Sequence, residues 1–144
     1  MDHKYLMFQL NNEEYAVEVA KIKEVINYSE AVEVPNASPY VKGVISRGGV
    51  VIPLLNLKKC FGFPDTQPNK KVRIIVIGHK QHIAGLPVDS IVEVKSLTSN
   101  KVSPVPQFME KEKVEFLRGI IECDDRFIMV LKTSALLECL RYEN

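Results

Sequence analysis

One hairpin occurs twice in this chain, and that repetition constrains the fold more than any local pattern does. Residues 40–57, YVKGVISRGGVVIPLLNL, read as two hydrophobic strands, 41–46 and 50–57, joined by a tight Arg47-Gly48-Gly49 turn. Glycine supplies the positive φ that a two-residue turn needs, so Gly-Gly between β-branched runs is a strong hairpin signal. Residues 116–137, FLRGIIECDDRFIMVLKTSALL, lie beneath residues 40–61 without a gap at an offset of 76 (119 − 43). Tyr40 meets Phe116, Lys42 meets Arg118, Gly43 meets Gly119, Ile52 meets Ile128, and the turn falls over Cys123-Asp124-Asp125. Upstream, VAKIKEV from Val19 lies over VDSIVEV from Val88 at an offset of 69 (88 − 19), and the loop around 104–112 absorbs the difference. Two copies of a unit of roughly 70 residues are too few for a solenoid and predict two similar small β units packed on each other.

The rest of the chain reads as further strands. YLMFQL at 5–10 is apolar on both sides and predicts a buried strand, turned at Asn11-Asn12-Glu13 into an alternating strand with Tyr15, Val17 and Val19 inward. Residues 19–26 have helical spacing at Val19, Ile22, Val25 and Ile26, with a strand as the alternative. A one-turn helix is expected at 57–61, stopped by Gly62 and Pro64, and the polar stretch 65–70 is the expected seam between the units. VRIIVI at 72–77 and residues 81–86 predict a hairpin turning at Gly78-His79-Lys80, continued by a strand at 88–94 and an extended, Pro-containing stretch at 97–108. Thr133 is the expected N-cap of a terminal helix over 133–142 with a Leu136, Leu137, Leu140 stripe. The predicted class is therefore all-β: one domain over 1–144 built from two small five-stranded SH3- or OB-like barrels, at 14–65 and 72–131, with exchange of strands between them left open.

Bulk properties narrow the function classes. The 144 residues carry 19 Lys and Arg against 18 Asp and Glu, which argues against a partner held by bulk charge, such as nucleic acid or an anionic membrane. No apolar run reaches membrane-span length and the start lacks a signal peptide's apolar core, so a cytoplasmic location is expected. The start Met and the closing helix speak against a piece cut from a larger fusion. Cys60, Cys123 and Cys139 show no C-x-x-C pairing and read as reduced structural thiols.

Signs of catalysis are missing from the pattern. His79 and His82 flank a turn with no third ligand near in sequence, so no metal site is expected. Glu13-Glu14 and Asp124-Asp125 sit in or beside turns, where such residues serve the backbone. Ser46 and Ser134 have no evident His partner, no phosphate-binding glycine motif occurs, and Lys58-Lys59 and Lys70-Lys71 are isolated pairs. With 46% hydrophobic residues in two small units, some Val and Ile must face outward, and exposed apolar patches mark protein partners. The residues thus favour an interaction module over an enzyme.

Read together, YLMFQL, EEYAVEV, IKEVI, VPNASPYVKGVI, IPLLNL, VSPVP and LRGII, in this order from Tyr5 to about Leu140, resemble the CheW family of bacterial chemotaxis coupling proteins. The resemblance implies a non-catalytic adaptor without a cofactor, linking the cytoplasmic tip of methyl-accepting chemoreceptors to the regulatory domain of the histidine kinase CheA. It would be recruited to membrane-bound arrays without inserting. Carried over by position, Ile22, Glu24 and Gly43 would face the kinase, and Arg73, Ile74 and Gly85 would lie near the receptor side. Gly43 and Gly85 have an equal claim to a purely conformational role. The chain departs from the family's usual G-V-I-N-L-R-G: Gly48 holds the arginine position, and Arg47 is the candidate substitute on the kinase side. A one-residue shift in a strand normally sends a side chain to the other face. The alternatives are the same scaffold serving pilus motility or development, and a small barrel binding a ligand or single-stranded nucleic acid.

Overall fold

The computed structural model describes residues 2–98 and 101–140. The chain opens with a hairpin of β1 (Asp2–Leu10) and β2 (Glu13–Glu18), turned at Asn11 and Asn12, both with positive φ. β1 is apolar on both sides because both sides are covered: Leu6, Phe8 and Leu10 enter one core, Tyr5 and Met7 another. A short 3-10 turn, Val19–Lys21, leads into β3 (Ile22–Asn27). The helical spacing over 19–26 is not used beyond that turn, because pairing across the sheet satisfies the backbone from Ile22 onward.

The central hairpin, β4 (Val41–Arg47) and β5 (Val50–Leu55), turns at Gly48 and Gly49, with φ of 56° and 81°. α1 (Leu57–Cys60) follows, capped by Asn56, whose Oδ1 accepts from the Lys59 backbone N–H at 3.1 Å. β6 (Arg73–His79) and β7 (His82–Val88) form the next hairpin. Its turn is Lys80-Gln81 rather than Gly78-His79-Lys80, since Gly78 stays paired with Ile83 and lies under the Lys23 side chain. Then come β8 (Ser90–Thr98), β9 (Val102–Ser103), α2 (Lys111–Val114), the second copy of the hairpin as β10 (Leu117–Cys123) and β11 (Arg126–Leu131), and α3 (Thr133–Glu138). Thr133 is the first helical residue, not the cap. Lys132 holds the cap position and makes no side-chain cap bond. The last two residues of the expected 133–142 helix lie outside the described residues.

Two mixed sheets result, ordered β3-β6-β7-β5-β4 and β8-β1-β2-β11-β10-β9. Apart from the edge strand β9, the orders match strand for strand through the offsets of 69 and 76, including one parallel pair in each sheet, β5 with β7 and β2 with β11. Each repeat's first hairpin has crossed into the other repeat's sheet. The sheets therefore do not follow the ranges 14–65 and 72–131. The stretch 65–70 joins the two repeats in sequence, while the strands on either side of it lie in one sheet.

The expected barrels are two SH3-like subdomains whose sheets are not closed by hydrogen bonds. Each curls until its ends meet through side chains: Arg47 at the end of β4 pairs with Glu24 on β3, and Lys95 on β8 pairs with Asp124 at the β10–β11 turn (2.9 Å). Inside one curl lie Ile26, Ile45, Ile52, Leu54, Ile74 and Val76, and inside the other Tyr5, Met7, Ala16, Ile121, Ile128 and Val130. The largest core lies between the sheets, where Phe8, Tyr15, Phe61, Phe116 and Tyr40 form a run of ring contacts with centroids 5.0–6.1 Å apart. Leu57, Cys60, Leu136 and Leu137 from α1 and α3 pack into it.

Candidate interaction site

The residues expected on the kinase side come from the two ends of the first sheet, and the curl brings them together. Ile22 is half-buried against the inter-sheet core, whereas Glu24 and Arg47 are exposed and joined as an ion pair, Arg47 Nε to a Glu24 carboxylate oxygen. With side chains about half exposed (54% and 44%), this pair adds at most ~1 kcal/mol to stability. Its worth lies in holding an acid and a base side by side at the rim. Val25, beside Glu24, and Val50, the strand partner of Arg47, are exposed, as is Val51. Exposed valines beside an ion pair are chemistry suited to a protein partner.

Gly43 contributes no surface. It is buried, and a Cβ there would lie 2.4 Å from the Val32 carbonyl oxygen. The arm that follows β3 crosses β4 at this point, exchanging two backbone hydrogen bonds between Val32 and Val44 (2.9 and 2.8 Å). Gly119 repeats the arrangement against Ser103 of β9, with its Cβ position 2.5 Å from the Ser103 carbonyl oxygen.

The three residues expected near the receptor do not form one surface. Arg73 is partly exposed, and its guanidinium donates to the carbonyl oxygens of Lys70 (2.8 Å) and Val72 (2.9 Å). Ile74 is fully buried inside the first sheet, so no partner can touch its side chain in this structure. Gly85 is buried too, and a Cβ there would press into Leu54 Cδ2 at 2.5 Å and Ile74 Cγ2 at 2.9 Å. Both are interior, and their places are set by packing.

Sequence reasoning missed Val25, Val50 and Val51 as surface residues. Val50-Val51-Ile52 is an unbroken apolar run, and no period marks which members face water. At the other sheet's rim the hydrogen bond from Lys95, and its charge, hold the Asp124 carboxyl below its ordinary range. Burial pushes the Cys60 thiol up to about 12, so it is a neutral packing group rather than a nucleophile. Among the described residues no cluster of His, Cys, Asp and Glu could hold a metal, and no helix is long and apolar enough to cross a membrane.

Two curled SH3-like sheets around a shared core, with apolar side chains exposed on their strands, define a protein-binding β module. The family model of the CheW-like domain matches residues 4–140, and the chain belongs to that family, the non-catalytic chemotaxis adaptors that couple chemoreceptors to the kinase CheA. The chain is 28% identical to the chemotaxis protein CheW of Klebsiella aerogenes, over 93% of this chain and 81% of that protein. It is 29% identical to the CheW of Thermotoga maritima, over 95% and 89%. The crystal structure of the scaffolding protein TtCheW from Thermoanaerobacter tengcongensis superposes with a TM-score of 0.83 at 30% identity, covering 92% of this chain and 85% of that one.

Proposed function

We propose that this adaptor docks on the regulatory domain of a CheA-type kinase through the rim that carries Glu24, Arg47, Val25, Val50 and Val51, and meets the receptor tip on the side that carries Arg73. The observation supporting this is the Glu24–Arg47 pair, exposed and flanked by exposed valines. Arg47 takes the part of the family arginine displaced by Gly48. The paired geometry supports this, because Arg47 reaches the acid that the family resemblance also assigns to the kinase side. Ile22 and Gly43 serve this face indirectly, as a packing support and as the crossing point of the Val32 arm. Ile74 and Gly85 act by shaping the sheet beneath Arg73. Binding is local, array recruitment comes through these partners, and no cofactor takes part.

Calorimetric titration against the regulatory domain of the same organism's CheA tests the reading. Saturable one-to-one binding is expected. Arg47→Ala and Val51→Asp should each weaken it at least about tenfold, ~1.4 kcal/mol. A flat trace between two folded proteins would overturn the kinase assignment. Unaltered binding by Arg47→Ala would remove Arg47 from it.

A further inference from the structure

We propose that the cleft where β11 runs into α3 binds an irregular, acidic peptide segment of a partner protein. The starting point is that both repeats end alike. The Asn56 backbone N–H donates to the Tyr40 carbonyl oxygen (2.6 Å), and Lys132, at the equivalent position, donates to that of Phe116 (2.8 Å). Each strand–helix junction lines a cleft: Lys42, Leu55, Asn56 and Lys58 in the first repeat, and Arg118, Leu131, Lys132 and Ser134 at the matching positions of the second.

The first cleft is filled by the chain itself. Asn56 Nδ2 donates to Asp65 Oδ1 (3.4 Å), Lys58 Nζ donates to Thr66 Oγ1 (2.5 Å), and Pro68 completes the wall, leaving about 40 Å³. Lys58 also pairs with Asp89 at 2.9 Å. The occupant is thus an irregular segment that brings a carboxylate and a hydroxyl to the junction.

The second cleft keeps about 280 Å³ and is more basic: Lys21, Arg118 and Lys132 line it against one carboxylate, Glu18. Glu18 is already shared between Arg118 (3.1 Å) and His3 (3.4 Å). Among the described residues, Lys21 and Lys132 form no ion pair. Two cations without counter-charges select an anionic occupant. The first cleft identifies its form, an irregular peptide segment like residues 65–68. This surface is separate from the valine rim, so its failure and that of the kinase reading are distinguishable.

The test is an NMR titration of isotope-labelled full-length protein with the synthetic peptide FPDTQPN, this chain's own residues 63–69, and with the same peptide carrying Gln67→Glu. The expected result is saturable shifts of the Lys132, Thr133 and Ser134 amides, tighter binding of the more acidic peptide, and at least about tenfold weaker binding by Lys132→Glu and by Lys21→Glu. Neither lysine side chain is buried, so both variants should keep the parent's amide spectrum elsewhere. Three outcomes overturn the proposal: no shifts, shifts confined to Asn56 and Lys58, or affinity indifferent to both charge reversals. Glutamate and inorganic phosphate are titrated alongside. If either binds as tightly as the peptide, the cleft is a simple anion site and the peptide proposal falls.

Discussion

At the scale of single residues, glycines and one thiol show where packing leaves no freedom. Gly43→Ala places a methyl group 2.4 Å from a backbone oxygen, which cannot rotate away. The Val32 arm must shift, and a loss of about 1–3 kcal/mol is expected in urea unfolding. Gly119→Ala should cost about as much, because Ser103 presents the same obstacle. Arg47→Ala is the contrast, changing stability by less than ~1 kcal/mol while affecting binding. Cys60 gives a pH signature. Its folded pKa of about 12 lies above the ordinary 9.0, so between those values the unfolded chain holds fewer protons than the native one. The thiol's contribution is complete below about pH 9 and is lost as pH rises toward 12, by up to ~1.4 kcal/mol per pH unit. Cys60→Ala should show a shallower fall in stability between pH 9 and 10.5 than the parent protein, measured by urea midpoints.

At the scale of elements, three of the four hairpins share one turn chemistry written in three residue types, while the fourth, at Lys80-Gln81, places only Lys80 at positive φ. Gly48-Gly49, Asn11-Asn12 and Asp124-Asp125 all place two consecutive residues at positive φ between paired strands. This backbone twist matches that of the flanking strands, and Gly, Asn and Asp are the residues that tolerate it. Gly49→Val should therefore cost about 1–2 kcal/mol with the strand content retained by circular dichroism. Exposed sheet edges receive similar treatment in both subdomains. The Val32 arm covers β4 and β9 covers β10, each over a glycine that permits the close approach.

At the scale of the whole molecule, the exchange of hairpins makes the two subdomains one folding unit. The second sheet needs β1 and β2 from the first repeat, and the first sheet needs β6 and β7 from the second. The largest core then draws on both sheets and both flanking helices. A single cooperative transition is expected, with calorimetric and van't Hoff enthalpies in agreement. Residues 1–65 and 66–144 expressed separately should each lack dispersed amide spectra, and mixing them should restore the native one. Independent folding of the 1–65 fragment would contradict this account.

The sequence by itself determined the all-β class, the duplicated hairpin, its glycine turn and the family, because these rest on local periodicity, turn chemistry and ordered motifs. It also placed Glu24 and Arg47 among the candidate residues, though with nothing to show that they touch. Only the tertiary structure decided which repeat owns which hairpin, since strand exchange leaves every local pattern unchanged and alters only the partners on either side of the exchanged hairpin, one parallel and one antiparallel. It alone showed Ile74 and Gly85 to be interior and Val25, Val50 and Val51 to be surface. Apolar residues on a two-sided strand look alike until the curl of the sheet assigns one side to the core and the other to water.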